Sequence, residues 1–95
     1  MTRAQLVEID LQAVTTTKEL HSLLMVSLDF PGWYGHNWNA FWDAITGLVE
    51  MPQILKLSGW QELSQQLPND AASLKRCLTE MQVQYPQFAS EVVYA

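Results

Sequence analysis

A single cysteine, Cys77, rules out an internal disulfide and leaves no cysteine-rich set for structural zinc. It reads as a small core residue. The two histidines, His21 and His36, stand apart in the chain and make no metal-ligand pattern, so neither a metal nor a cofactor is expected. Basic side chains are scarce as well: five Lys and Arg face ten Asp and Glu, a formal net charge of -5. Proteins that grip a phosphate backbone present clustered Lys and Arg, so direct nucleic-acid binding is disfavoured and a basic partner is the natural complement. No apolar run approaches the roughly 20 residues of a membrane span. Residues 1–8 also lack the basic-then-apolar order of a signal peptide, and the expected location is cytoplasmic, away from membranes.

What remains is an ordinary globular composition, 48% hydrophobic and 16% charged, without repeats or low-complexity tracts. Its 95 residues suit one domain spanning 1–95, and a monomer is expected when the chain is free of its partner. Leu6, Val7 and Ile9 mark a first strand. Thr16 and Glu19 form a capping-box pattern for a helix whose Leu20, Leu23, Leu24 and Leu28 lie at helical spacing, while His21 falls on its flank. Asn37 is a good N-cap for a short second helix, with Gly47 suited to a left-handed C-terminal position. Ile54, Leu55 and Leu57 have strand character, and residues 58–61 offer a cap for a helix to about Leu67. Leu74, Cys77, Leu78 and Met81 stripe the longest helix, which must stop before Pro86, and Val92, Val93 and Tyr94 form a last strand. Strands alternating with helices predict an α/β fold: a small three-stranded parallel sheet with about four helices covering its faces.

The unusual feature is FPGWYGHNWNAFWDAITGLVE, residues 30–50, which packs six of the ten aromatic residues into its first thirteen positions. The same region is acidic. Residues 19–55 hold Glu19, Asp29, Asp43 and Glu50 and no Lys or Arg, which is -4 of the net -5. Trp38, Phe41 and Ile45 recur at one-turn spacing and read as core. Asn39, Asp43 and Thr46 share the adjacent flank, with Trp42 between flank and stripe. Trp33 and Tyr34 come from a Pro- and Gly-punctuated loop, where aromatics serve either as contact anchors or as a lid on the core. On spacing alone Asp43 is a solvated helix residue, His36 is a surface or rim residue, and Asn37 is first of all a cap.

The run Pro31, Tyr34-Gly35, Asn37, Ala40, Trp42-Asp43-Ala44, Thr46-Gly47, Val49-Glu50 and Pro52 resembles the signature loop and second helix of the barstar family, cytoplasmic inhibitors of secreted guanyl-specific ribonucleases. The resemblance extends collinearly over almost the whole chain. It implies a barstar-like fold, no enzymatic activity, and a one-to-one complex with a basic ribonuclease. It further implies partner contacts at Trp33, Asn37, Asn39, Trp42, Asp43, Thr46, Gly47 and Glu80, with Asp43 accepting the hydrogen bonds that the enzyme reserves for substrate phosphate. Three positions depart from the family pattern: Asn39 stands for a contact Asp, Leu48 for a Trp and Gln84 for a second acid on the long helix. Two other functions are compatible with the sequence. One is a barstar-like interaction module with a non-nuclease partner, and the other is a small hydrolase that pairs Asp43 with Glu50 on a tryptophan platform.

Overall fold

A computed structural model of the protein describes residues 3–95. Met1 and Thr2, part of the domain span expected from sequence, lie outside the described residues. The chain forms β1 (Leu6–Asp10), α1 (Thr17–Ser27), α2 (Trp38–Asp43) running into a π-helical turn (Ala44–Leu48), β2 (Ile54–Ser58), α3 (Trp60–Gln66), α4 (Pro68–Gln84) and β3 (Glu91–Tyr94). This is the α/β fold that the strand and helix pattern predicts. The three strands make one parallel sheet in the order β1-β2-β3. Leu55 pairs in register with Val7 and Val92, and Leu57 with Ile9 and Tyr94.

Alternation along the strands decides which face of the sheet is buried. Ile9, Leu55 and Leu57 are fully inside, and Val7, Val92 and Tyr94 pack beside them. The opposite face carries Leu6, Glu8, Asp10, Glu91 and Val93, all exposed, with Leu6 at 54%. Helices therefore cover one face of the sheet rather than both, unlike the usual parallel sheet. The polar side chains on alternate positions are what make an open face tolerable in water.

Each helix starts for a local reason. Thr16 caps α1: its hydroxyl accepts from the Glu19 N–H at 3.1 Å while the Glu19 carboxylate accepts from the Thr16 N–H, also at 3.1 Å. Pro68 opens α4 at a position where its missing N–H costs nothing. The start of α3 differs from expectation. Ser58 belongs to β2 and turns its hydroxyl to Ile9 O at 3.4 Å, leaving Gly59 as an N-cap without a capping side chain. Gly59 has φ +71°, and a Cβ there would lie 2.5 Å from the Gln12 backbone nitrogen. Both the dihedral and the close approach require glycine.

Leu20 and Leu24 of α1 with Leu28 just beyond its end, Phe41 and Ile45 of the second helical segment, and Leu74, Leu78 and Met81 of α4 converge on the buried sheet face. Burial of each such side chain contributes about 1.5–3 kcal/mol, which makes this layer the main source of stability. Cys77 is buried, as its place in the α4 stripe predicts. No helix among the described residues is long and apolar enough to cross a membrane.

Candidate functional site

The loop ahead of α2 folds onto the core through Tyr34, and this separates two residues that sequence alone groups together. Tyr34 is buried, its ring 4.9 Å from that of Phe30, whereas Trp33 is 73% exposed. The Tyr34 hydroxyl lies 2.6 Å from His21 Nδ1 and donates to Asn37 O at 3.4 Å. His21, on the flank of α1, is fully buried, with Trp38 covering it at 4.4 Å between ring centroids. Its Nε2 meets no hydrogen-bonding partner among the described residues. Burial accordingly holds the His21 pKa below its usual value, with the Asp70 carboxylate pulling it up and His36 pushing it down. The same desolvation pushes the Tyr34 phenol up, so it stays neutral.

His36 adopts φ +52°, half-buried, with Nδ1 2.9 Å from Tyr34 O and Nε2 3.3 Å from the Ser22 hydroxyl. Its neighbour Asn37 then caps α2 as the sequence predicts. Asn37 Oδ1 accepts from the Ala40 N–H at 2.7 Å, and its amide donates back to Gly35 O at 3.0 Å. A Cβ on Gly35 would lie 3.1 Å from that amide nitrogen, a tight contact to which the Asn37 side chain would have to yield by a few tenths of an ångström.

Trp38 is half-buried rather than wholly inside. Its indole N–H donates to Asp70 Oδ1 at 3.0 Å, while Asp70 Oδ2 accepts from the Thr17 hydroxyl. Asp70, in the first turn of α4, thereby joins α1, α2 and α4. The fixed orientation of α2 turns Asn39 and Asp43 into solvent and leaves Trp42 half-buried.

Between α2 and α4 lies an open cleft of ~510 Å³. Trp38, Asn39, Trp42 and Asp43 form one wall, and Arg76, Cys77, Glu80 and Gln84 form the other. Four of the candidate contact residues, Asn39, Trp42, Asp43 and Glu80, thus meet in one place. Gln84 donates to the Glu80 carboxylate at 3.0 Å, and Tyr85 sets its ring 6.4 Å from that of Trp42 at one end. The Cys77 thiol is pushed up by burial and stays protonated, an inert part of the wall.

Thr46 and Gly47 lie elsewhere. They line a second, more apolar groove of ~660 Å³ with Leu48, Glu50, Met81 and Phe88. The Thr46 hydroxyl donates to Trp42 O at 2.6 Å and so serves the helix itself. Gly47 does not take the left-handed C-terminal conformation: among the glycines only Gly59 has positive φ. The helix instead widens by one residue, the Val49 N–H reaching Ala44 O at 3.2 Å, and Val49 leaves in extended conformation. Asp43 and Glu50 therefore line different depressions rather than facing each other across one cleft. Among the described residues no group of three His, Cys, Asp or Glu is disposed to hold a metal.

Two cations of this region escape the sequence reading. Arg3 donates to Met51 O at 2.8 Å and Pro52 O at 2.9 Å, and to Phe88 O and Ala89 O at 3.2 Å, stapling the two loops that border the second groove. Arg76 projects into the first cleft four residues before Glu80 on α4, a spacing that already puts the two on one helical face.

Comparison with known proteins assigns the sequence to a family. The family model Barstar, described as barnase inhibitor, matches residues 4–94. The chain belongs to the barstar family. Over 42 residues it is also 45% identical to a protein of Bacillus subtilis (strain 168) named "Putative ribonuclease inhibitor YrdF". That alignment spans 44% of this chain and 46% of the relative, less than half the relative's length. In this barstar-family chain the cleft offers two carboxylates as acceptors for charge-assisted hydrogen bonds, with tryptophan surface beside them to exclude water.

Proposed function

We propose that this chain is a non-enzymatic inhibitor of a basic ribonuclease, bound one-to-one with Asp43 inserted among the cations that the enzyme keeps for substrate phosphate. The observation that carries this reading is the position of Asp43: exposed, on the wall of the α2–α4 cleft, between Trp42 on its own helix and Glu80 on the facing one. A ribonuclease must preorganise positive groups to stabilise charge that develops on phosphorus oxygens. A carboxylate held by a capped helix can occupy that site and offers no bond to cleave. Asn39 and Glu80 add polar contacts in the same cleft, and Trp42 supplies water-excluding area. Asn37 holds the helix start. Trp33 would reach the enzyme from the loop, and Thr46 and Gly47 from the adjoining groove. Family membership and the inhibitor name of the Bacillus relative support the same reading. A cytoplasmic location would keep such an inhibitor ready for enzyme that has not yet been exported.

The test is binding and inhibition of a secreted guanyl-specific ribonuclease by the parent protein and by Asp43→Ala. The variant should lose at least about 2 kcal/mol of binding, roughly 30-fold in affinity, the threshold for an interface hot spot. Because Asp43 is exposed, its thermal unfolding should match the parent's. Equal inhibition by both proteins would reject the proposal, and a captured partner without nuclease activity would favour an interaction module instead.

A further inference from the structure

The α2–α4 cleft is mixed in charge. Asp43 and Glu80 contribute two negative groups, Arg76 contributes a positive one, and the flanking Asn39 and Gln84 are neutral amides. Arg76 has obvious partners within the chain, yet takes none of them. Glu80, one turn away, accepts from Gln84, and among the described residues the Arg76 guanidinium takes part in no side-chain hydrogen bond. Arg76 is exposed, so its donors face the cleft and solvent.

A guanidinium left unpaired in a surface that is to be desolvated works against any partner presenting only cations there. Like charges brought together in an interface are strongly unfavourable and act as discrimination. A partner that sets a carboxylate within its basic patch satisfies every charge in the cleft, because Asp43 and Glu80 take cations while Arg76 takes the carboxylate in the paired geometry that suits guanidinium. Such a carboxylate has a natural place in a ribonuclease, whose chemistry needs a general base beside the phosphate-binding cations.

We propose that Arg76 is a specificity residue, selecting ribonucleases that carry an active-site carboxylate among their cations and pairing with that carboxylate in the complex. The proposal rests on the inhibitor reading of this cleft. It also gives Arg76 a sign opposite to that of a merely solvated cation, whose removal would make the acidic cleft more attractive to a basic enzyme.

A double-mutant cycle separates these outcomes. Binding is measured by titration calorimetry, since the enzyme variant need not turn over. The probe is a secreted guanyl-specific ribonuclease with a carboxylate among its active-site cations, together with the same enzyme carrying the corresponding amide. Arg76→Gln should bind the unaltered enzyme about tenfold more weakly than the parent inhibitor does, and should show no such deficit against the amide enzyme. Unchanged or tighter binding of Arg76→Gln to the unaltered enzyme overturns the role of Arg76. If parent binding is tight and is lost in Asp43→Ala, that result leaves the inhibitor reading standing. If the parent binds neither enzyme, the inhibitor reading and the role of Arg76 fall together. Matching thermal unfolding of Arg76→Gln and parent confirms that the comparison concerns binding alone.

Discussion

His21 and Tyr34 face each other 2.6 Å apart beneath the aromatic loop, Nδ1 against hydroxyl, with the other imidazole nitrogen unpartnered among the described residues. One side chain comes from α1 and the other from the loop that leads into α2, so their contact ties the site's support to the core. Tyr34→Phe removes the hydroxyl and leaves both His21 nitrogens buried without a partner. The expected cost is about 1–3 kcal/mol, seen as a lower midpoint in urea with an unchanged slope. An unaltered midpoint would mean that the pair contributes nothing.

The same histidine makes stability depend on pH. His21 ordinarily titrates near 6.5, and burial lowers that value in the folded protein, against the opposing pull of Asp70. The unfolded chain then binds the proton more readily than the folded one. Stability from neutral His21 is therefore complete above the unfolded value and is lost as pH falls through the depressed folded one. One such proton gives a slope of up to about 1.4 kcal/mol per pH unit within that window. Urea unfolding at several pH values below neutrality should show this loss in the parent and a shallower one in His21→Gln. His36→Gln serves as the control, because His36 is half-buried at the loop and lies close enough to influence His21. Parallel curves for the parent and His21→Gln would assign the pH dependence to other groups.

Two glycines should respond oppositely to alanine. At Gly59 a Cβ would lie 2.5 Å from Gln12 N and 2.8 Å from Gln12 Cα, at a φ of +71°. Gly59→Ala should destabilise by more than about 1 kcal/mol, because strain at positive φ adds to the clash. At Gly47 a Cβ would meet nothing within 4 Å. Gly47→Ala should leave thermal stability unchanged or slightly raised, since alanine is the better helix former. A loss of ribonuclease binding without a loss of stability in Gly47→Ala would then report close approach of a partner's surface to that position.

The contrast between these glycines shows where the sequence is legible. Periodicity identifies β1, β2, β3, the α1 and α4 stripes and the caps at Thr16 and Asn37, because each depends on residues within a turn or two of one another. It places Phe41 and Ile45 in the core for the same reason. The fate of Gly47 depends on how the chain leaves α2, and the π-helical turn has no marker in residue type. Sequence leaves Tyr34 open between contact anchor and core lid and puts His21 on a helix flank, and their pairing, a contact across thirteen residues, shows only once the loop folds back over α1. The open outer face of the sheet follows from helices packing on one side only, which alternation along single strands does not reveal. For the candidate site, family resemblance gathers Asn39, Trp42, Asp43 and Glu80, and the cleft brings those four together. The spacing of Arg76 and Glu80 puts both on one helical face, but that Arg76 borders Asp43 shows only when α2 and α4 are set side by side.

Asn37 joins the stability of α2 to the posture of the loop that precedes it. Its Oδ1 takes the Ala40 N–H at 2.7 Å and its amide holds Gly35 O at 3.0 Å, so Asn37→Ala removes a cap and a loop tie together. Loss of the cap alone costs about 0.5–2 kcal/mol of stability. Asn37→Asp keeps a capping oxygen and gives up the donor to Gly35. Comparison of the two by thermal unfolding should show the aspartate variant near the parent and the alanine variant several degrees lower. Affinity for the ribonuclease should fall in both, because either change frees the loop bearing Trp33. Parent-like affinity in Asn37→Asp would show that loop posture does not contribute to binding.

Charge distribution should also set the rate of encounter. The net charge is -5, and residues 19–55 carry -4 of it with no Lys or Arg to offset them. Asp43 sits within that stretch on the cleft wall, so a basic active site would approach it along an attractive field. At ~0.01 M salt the screening length is about 30 Å, and at ~0.15 M it shrinks to about 8 Å. Stopped-flow association with a basic ribonuclease should therefore slow markedly as salt is raised over this range, while dissociation changes far less, since contacts already formed are shielded from solvent ions. Asp43→Asn should flatten the salt dependence of association by removing one charge from the field. Arg76→Gln should steepen it, even though the completed complex is weaker. An association rate that does not respond to salt would mean that the acidic stretch plays no part in steering, and that recognition begins only once the two surfaces are in contact.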